Sequence, residues 1–150
     1  MDVPELRSRF LELYHGRYLR PARHHAVCGL EAVLPVVSRV SGLYNAAAGS
    51  RMGRAVAREV LGLVDAPRLS GIDLASAARA RGIAWASPRS LDALTEAQRA
   101  RAVVVVQDAF TTYFDTRVTL AALGLLQRLG FTPVVAPFRA NGKALHVHGL

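Results

Sequence analysis

Cysteine, lysine and tryptophan are nearly absent from this sequence, which has one residue of each: Cys28, Lys143 and Trp85. A single cysteine excludes an internal disulfide, and it excludes a metal or iron–sulfur site whose ligands are all cysteines of this chain. This scarcity favours a reducing, cytoplasmic setting. The first ten residues also lack a secretory signal pattern, because they are charged and have no apolar core.

Long uninterrupted apolar runs are missing too. The longest apolar stretches contain Glu31, Ser38, Gln127 or Arg128, so none is expected to reach the roughly 20 residues that span a bilayer. The glycine fingerprints of nucleotide-binding loops, G-x-G-x-x-G and the Walker pattern, do not occur. We therefore expect neither a membrane span nor a nucleotide site of those types.

The basic residues are almost all arginine. The chain has 19 basic residues, of which all but Lys143 are arginine, against 11 acidic ones, for a net charge of +8. The excess is spread along the chain, and no motif for reading a groove or stacking on bases accompanies it. Nucleic acid is therefore not the expected partner. A free-standing basic module that binds an acidic partner stays open as an alternative function.

The composition predicts a globular α/β chain whose first part is helical. Hydrophobic residues make up 51% of the chain and the mean hydropathy is +0.21, which excludes a disordered class. Pro35 should end or kink the second helix. Capping residues and helical spacing predict helices over about 4–18, 22–34, 43–48 and 51–63, short helices after Asp73 and Thr95, and a brief strand at 83–85.

A strand–helix–strand pattern organises the second part. The run Val103–Val106 is β-branched and too short for a core helix, so we predict a strand buried on both faces. A capped helix follows, ending at Gly130, and a second strand covers Thr132–Ala136. Such a βαβ unit holds its two strands parallel, joined by a right-handed crossover. Because two strands need further neighbours, the predicted parallel sheet is small and incomplete.

Five side chains are candidates to face a ligand. Ligands of open α/β sheets bind beyond the carboxyl ends of parallel strands, where Asp108 lies, and Thr111 and Tyr113 offer hydroxyl groups in the loop that follows. The alternative is that Asp108 caps this loop or the next helix. Lys143 follows an Asn-Gly turn and is a candidate to reach an anion, or else a solvated lysine. His146 is the fifth candidate.

The histidines and the cysteine do not predict a metal site. His24 and Cys28 would share one face of a helix, and His146 and His148 would point the same way on a C-terminal strand. A tetrahedral site needs a third or fourth ligand, which no local pattern supplies. We therefore assign no catalytic, cofactor-binding or metal-binding residue in this chain.

Four segments together resemble one family. They are similar to the region behind the ferredoxin-like domain of large bacterial FAD-linked, iron–sulfur dehydrogenases of the D-2-hydroxyglutarate dehydrogenase type. The resemblance covers essentially the whole chain, and VQDAFTTYFD and PFRANGKALHVHG are its most specific parts. In chain order the segments are DVPELRSRFLELYHGRYLRPAR, VLGLVDAPRLS, VVVVQDAFTTYFDTRV and PFRANGKALHVHG.

The resemblance implies that the chain is an internal or truncated piece of an enzyme that oxidises D-2-hydroxyglutarate to 2-oxoglutarate. FAD and 4Fe-4S clusters would be bound by the remaining flavin and iron–sulfur domains, which would be the partners of this chain. Residues 1–101 would form a mainly helical linker and packing region, and residues 102–150 would begin a C-terminal α/β domain. Alone, the chain is expected to have no turnover.

Overall fold

A computed structural model describes residues 3–64 and 66–149 of the chain. The chain divides into two compact units, which we call the helical unit (Met1–Arg68 with Ala140–Leu150) and the sheet unit (Leu69–Arg139). The predicted boundary at residue 101 concerns the domains of a longer protein and stays a prediction. In chain order the elements are α1 (Val3–Arg17), α2 (Ala22–Val37), α3 (Ser41–Gly49), α4 (Arg51–Leu61), α5 (Leu74–Ala80), β1 (Ala84–Trp85), α6 (Pro88–Asp92), α7 (Glu96–Ala100), β2 (Ala102–Val105), α8 (Ala109–Tyr113), α9 (Thr116–Arg128), β3 (Thr132–Val135) and α10 (Lys143–Val147).

Pro35 does not end helix α2, which continues to Val37. Pro35 removes one backbone N–H, the one that would bond to the carbonyl of residue 31, but this is a single hydrogen bond of the helix. The backbone N–H of Ser38 still bonds to the carbonyl of Leu34, and a 3-10 turn at Ser38–Val40 leads into α3. The predicted interruption of this region is therefore bridged by helical structure.

This continuity changes the assessment of membrane-spanning length. The helical run Ala22–Gly49 has 28 residues and contains an 18-residue window with a mean hydropathy of 1.5, so by length and composition alone it is able to cross a membrane. The expectation that no stretch reaches that length was wrong, because the helical run continues past the proline and Ser38. Within the helical unit, Glu31 of this run accepts hydrogen bonds from the backbone N–H groups of Asn141 and Gly142, at 3.0 and 3.3 Å.

The sheet is parallel, as predicted. Among the described residues it has three strands in the order β1-β3-β2. Ala84 of β1 and Val104 of β2 both pair with Val134 of β3, from opposite sides. The parallel pairing of the two strands of the βαβ unit and the brief strand before it are thus confirmed, and the fold class is α/β.

Strand β2 is not buried on both faces, which corrects the interpretation of the valine run. Val104 is 54% exposed, and Val106, just beyond the strand, is 78% exposed. In the part of the chain that the structure describes, β2 pairs only with β3 and forms one edge of the sheet. β-Branched residues favour strands whether or not both faces of the sheet are covered. The valine run therefore predicts that a strand forms, but it does not predict how deeply that strand is buried.

Helix α9 forms as predicted and ends in a Schellman motif. The N–H of Phe131 bonds to the carbonyl of Leu126, and the N–H of Gly130 to that of Gln127, both at 3.0 Å. Gly130 has a φ of 80°, which a glycine adopts without steric cost. The turn leads α9 into β3. The core of the sheet unit consists of Leu74, Ala78, Ile83, Leu120, Leu123 and Val135.

Candidate functional site

Asp108 lies just beyond the end of β2, after two intervening residues, and it caps helix α8. Its Oδ1 accepts hydrogen bonds from the backbone N–H groups of Phe110 at 2.8 Å and of Thr111 at 3.2 Å. Its Oδ2 accepts a short hydrogen bond from the Thr111 hydroxyl. The structure thus brings two of the candidate residues, Asp108 and Thr111, together in one cap. That they face a ligand stays a prediction.

The cap also keeps Asp108 ionised. Burial opposes ionisation of this half-buried carboxyl, but the hydrogen bonds from Thr111 and Phe110 favour it and hold the pKa of Asp108 below its ordinary value. An ionised carboxylate only accepts hydrogen bonds. A ligand reaching it would therefore present a hydroxyl, an amide N–H or a positive charge.

Tyr113 lies at the end of the same short helix and is half-buried. Its ring meets the ring of Phe138 edge-on, with the centroids 5.0 Å apart. Burial, and then the negative charge of Asp73, raise the pKa of the Tyr113 phenol. The phenol therefore stays protonated near neutral pH and can act as a hydrogen-bond donor.

Lys143 and His146 belong to the helical unit, so the candidate residues are divided between the two units. The predicted C-terminal strand is wrong, because residues 143–147 form α10 after a turn in which Gly142 has a φ of 69°. His148 follows α10 and its ring packs against that of His24, whereas His146 lies on α10 and is exposed, so the two do not form a pair on a strand. Lys143 and His146 are both exposed, and the carbonyl of His146 accepts a hydrogen bond from Ser8 at 2.6 Å.

Gln107 is a buried polar residue beside the site that the sequence interpretation missed. It is 6% exposed, and its Nε2 donates to the carbonyl of Ala136 at 2.6 Å while its Oε1 accepts from the Thr112 hydroxyl at 3.3 Å. Thr116 in turn donates to the carbonyl of Thr112 at 2.8 Å. The signal available was a polar residue directly after an apolar run, followed by threonines spaced by four.

An open cavity of about 860 Å³ lies elsewhere in the sheet unit, along α9. Its lining combines apolar side chains with Arg81, Arg117 and Arg128, and contains no acidic residue. Arg81 also donates to the carbonyl of Leu120 at 2.8 Å, which ties α5 to α9. The chemistry of this cavity suits an anionic group that carries an apolar portion.

One cysteine cannot by itself supply the ligands of an iron–sulfur cluster. Cys28 is half-buried, with its Sγ 3.6 Å from the carbonyl oxygen of Ala144, and a cluster needs several cysteine ligands. In the described part of the chain, no group of three or more His, Cys, Asp and Glu side chains could hold a metal ion. The sequence also lacks the glycine-rich loop of dinucleotide-binding folds.

Comparison with known proteins gives one consistent result. The chain is 44% identical over 149 residues to the D-2-hydroxyglutarate dehydrogenase of Pseudomonas putida, 42% to that of Escherichia coli K12 and 33% to that of Haemophilus influenzae. Each match covers 99% of this chain but only 14–15% of the relative. No family model and no solved structure matches the chain.

The chain thus spans about one-seventh of the length of the curated relatives that it matches. The matches run from end to end of the chain, and the relatives share one name. From end to end, the chain is similar to one segment of proteins named D-2-hydroxyglutarate dehydrogenase.

Proposed function

We propose that this chain forms part of an enzyme that oxidises D-2-hydroxyglutarate to 2-oxoglutarate, and that it positions the other domains. The observation that carries the proposal is the match of 99% of the chain to a segment of relatives named for this activity. The alignments cover 99% of the chain at 42–44% identity. This favours the same position for the chain within a polypeptide of the same kind as these relatives.

A positioning role is supported by the chemistry of the side chains. Oxidising an alcohol to a ketone removes two electrons and two protons, and a redox cofactor usually accepts the electrons. We expect FAD and 4Fe-4S clusters, which the resemblance implies, to be held by other domains of the longer protein, because one cysteine cannot ligate such a cluster. A cytoplasmic location belongs to the same proposal, because a chain with one cysteine has no internal disulfide to form.

The test compares the longest reading frame that contains these 150 residues with the 150 residues alone. We expect the longer protein to reduce a dye acceptor with D-2-hydroxyglutarate and not with the L enantiomer, and the 150 residues to show no turnover. A longer protein that is folded and loaded with its cofactors but inactive would contradict the proposed activity. Turnover by the 150 residues alone would contradict the positioning role.

The cavity along α9 supports a second candidate function, a basic module that binds an acidic partner. Arg81, Arg117 and Arg128 line it and no acidic residue does. The test is binding of an acidic peptide to the 150-residue chain at low and moderate salt. Binding that weakens with salt and is lost in Arg117→Ala favours the module, whereas no binding at low salt excludes it.

A further inference from the structure

Helix α1 and Tyr18, the residue directly after it, carry an exposed apolar face that includes three aromatic rings. Leu6, Phe10, Tyr14 and Tyr18 recur every four residues and are 51%, 62%, 44% and 55% exposed. The rings of Phe10 and Tyr14 stack with centroids 6.0 Å apart, and those of Tyr14 and Tyr18 with centroids 4.7 Å apart. We call these four side chains the aromatic ladder.

The other side of α1 is already occupied within the helical unit. The Ser8 hydroxyl donates to the carbonyl of His146, and the His15 ring packs edge-on against the ring of His24 with centroids 5.3 Å apart. These contacts fix α1 against α10 and α2, and they leave the ladder facing outward. The exposed face is therefore not needed to hold α1 in place.

The helical unit has almost no core of its own. Among its described hydrophobic residues only Leu34 is buried, and α1 contains no buried residue. A continuous exposed apolar face of this kind is typical of an interaction site, and stacked Tyr and Phe rings are typical anchors of such sites. The ladder thus requires a covering surface that the helical unit does not supply.

The relatives indicate where that surface is. About 85% of their length lies outside the segment that this chain matches. Arg7 and Arg17 are exposed on the same helix as the ladder, so they would meet acidic side chains at the rim of a covering surface. A long absent polypeptide and a basic rim favour another part of the same enzyme over a second copy of this basic chain.

We propose that the aromatic ladder is the docking face by which this segment binds the rest of the dehydrogenase polypeptide, through an apolar groove with an acidic rim. This inference rests on the proposed function, since it takes the covering surface from the same enzyme. A helix that inserts side chains at spacings of four into a groove is a recurring mode of recognition. Here the anchors are Leu6, Phe10, Tyr14 and Tyr18.

The test is hydroxyl-radical footprinting of the complete dehydrogenase and of the 150-residue chain, read by mass spectrometry. We expect oxidation of Phe10, Tyr14 and Tyr18 to fall about tenfold in the complete protein, because a buried interface excludes the solvent that carries the radical. Equal oxidation of the ladder in both samples overturns the proposal. The proposal is also overturned if the ladder of the 150-residue chain is already protected from oxidation by dimers, seen in light scattering, or becomes protected when anionic lipid vesicles are added.

Matched variants separate docking from folding. Phe10→Asp should leave the helical circular dichroism of the 150-residue chain unchanged, because Phe10 is exposed there, and should restore oxidation of Tyr14 and Tyr18 in the complete protein. Leu43→Asp, a change of an exposed leucine of α3, should not restore it. If Phe10→Asp unfolds the chain, Tyr18→Ser replaces it. If the complete protein is inactive but its ladder is protected, the result contradicts only the proposed function. If the complete protein is active but its ladder is exposed, the result contradicts only the docking inference.

Discussion

The imidazole rings of His24 and His148 lie 4.6 Å apart, centroid to centroid, and bring the end of the described chain against helix α2. The ring of His15 packs against the ring of His24 as well. The Nδ1 atom of each of these three histidines is buried and has no hydrogen-bond partner among the described residues. We call this group the histidine cluster.

We predict that acid weakens the helical unit through the histidine cluster. Burial, and after it nearby positive groups, lower the pKa of His24 and His148 below 6.5. The folded chain therefore binds fewer protons than the unfolded chain, so its stability is complete above the ordinary histidine pKa and falls as the pH drops below it. The positive groups that lower the pKa of His24 are His148, His15, Arg23 and Arg20, and those that lower the pKa of His148 are Arg7, Arg20 and His15.

Thermal unfolding followed by circular dichroism, at about pH 7.5 and about pH 5.5, measures this loss. His148→Phe keeps an aromatic ring and removes the proton site, so it should reduce the pH dependence of the melting temperature. His25→Gln changes an exposed neighbouring histidine and should retain it. An unchanged pH dependence in His148→Phe would exclude the cluster as its source.

Gly149→Ala should detach the segment that follows α10. A Cβ on Gly149 would lie 2.6 Å from the carbonyl oxygen of Ser8 and from the backbone nitrogen of Glu12, and φ is +67°. We expect a loss of about 1–3 kcal/mol in the free energy of unfolding, measured in urea. Gly16→Ala is the control, since its Cβ meets no atom within 4 Å, and it should raise stability by about 0.5–1 kcal/mol. Equal effects of the two changes would refute this account.

Asp108→Ala should destabilise the sheet unit by about 1 kcal/mol, because the cap of α8 is lost. Asp108→Asn keeps an acceptor oxygen for the Phe110 and Thr111 N–H groups and should retain most of the stability. Urea denaturation compares the two variants. In the complete enzyme, a loss of turnover in Asp108→Asn at unchanged stability would show that the charge also serves a ligand, beyond its role as a cap.

Gln107→Leu should cost about 1–3 kcal/mol, because it leaves the half-buried carbonyl of Ala136 without its hydrogen bond. The measurement is again the free energy of unfolding in urea. Gln127→Leu is the matched control, since Gln127 is exposed and its hydrogen bond to the Arg81 carbonyl is 3.3 Å long. We expect it to change stability by less than about 0.5 kcal/mol. Similar costs for both would argue against a special role for buried Gln107.

Local signals in the sequence predicted local structure well. The Thr95 and Gln98 capping box forms with both of its hydrogen bonds, Asp73 caps α5, and Gly130 ends α9. Each of these features depends on residues within a few positions of one another. The strand at Val103 was found for the same reason, since a β-branched run favours extended backbone whatever surrounds it.

Features that depend on distant contacts were not predicted. The exposure of Val104 follows from the position of β2 at the edge of the sheet, and the helical form of residues 143–147 comes with contacts to Ser8 and Glu31. The histidine cluster joins α1, α2 and the residue after α10. The sequence predicted that Asp108 lies just beyond a strand. It left open whether Asp108 faces a ligand or caps the loop or the next helix, and the structure shows the cap.

Strand order also has a consequence for biosynthesis. Of the three described strands, β3 is the last to leave the ribosome, yet it lies between the other two, which do not pair with each other. Neither β1 nor β2 can find its partner during translation until residues 132–135 have emerged. The nascent chain therefore carries an unpaired valine-rich strand through some thirty residues of synthesis, a period in which such edges are prone to aggregate. Insertion of β3 then joins the three described strands in a single step.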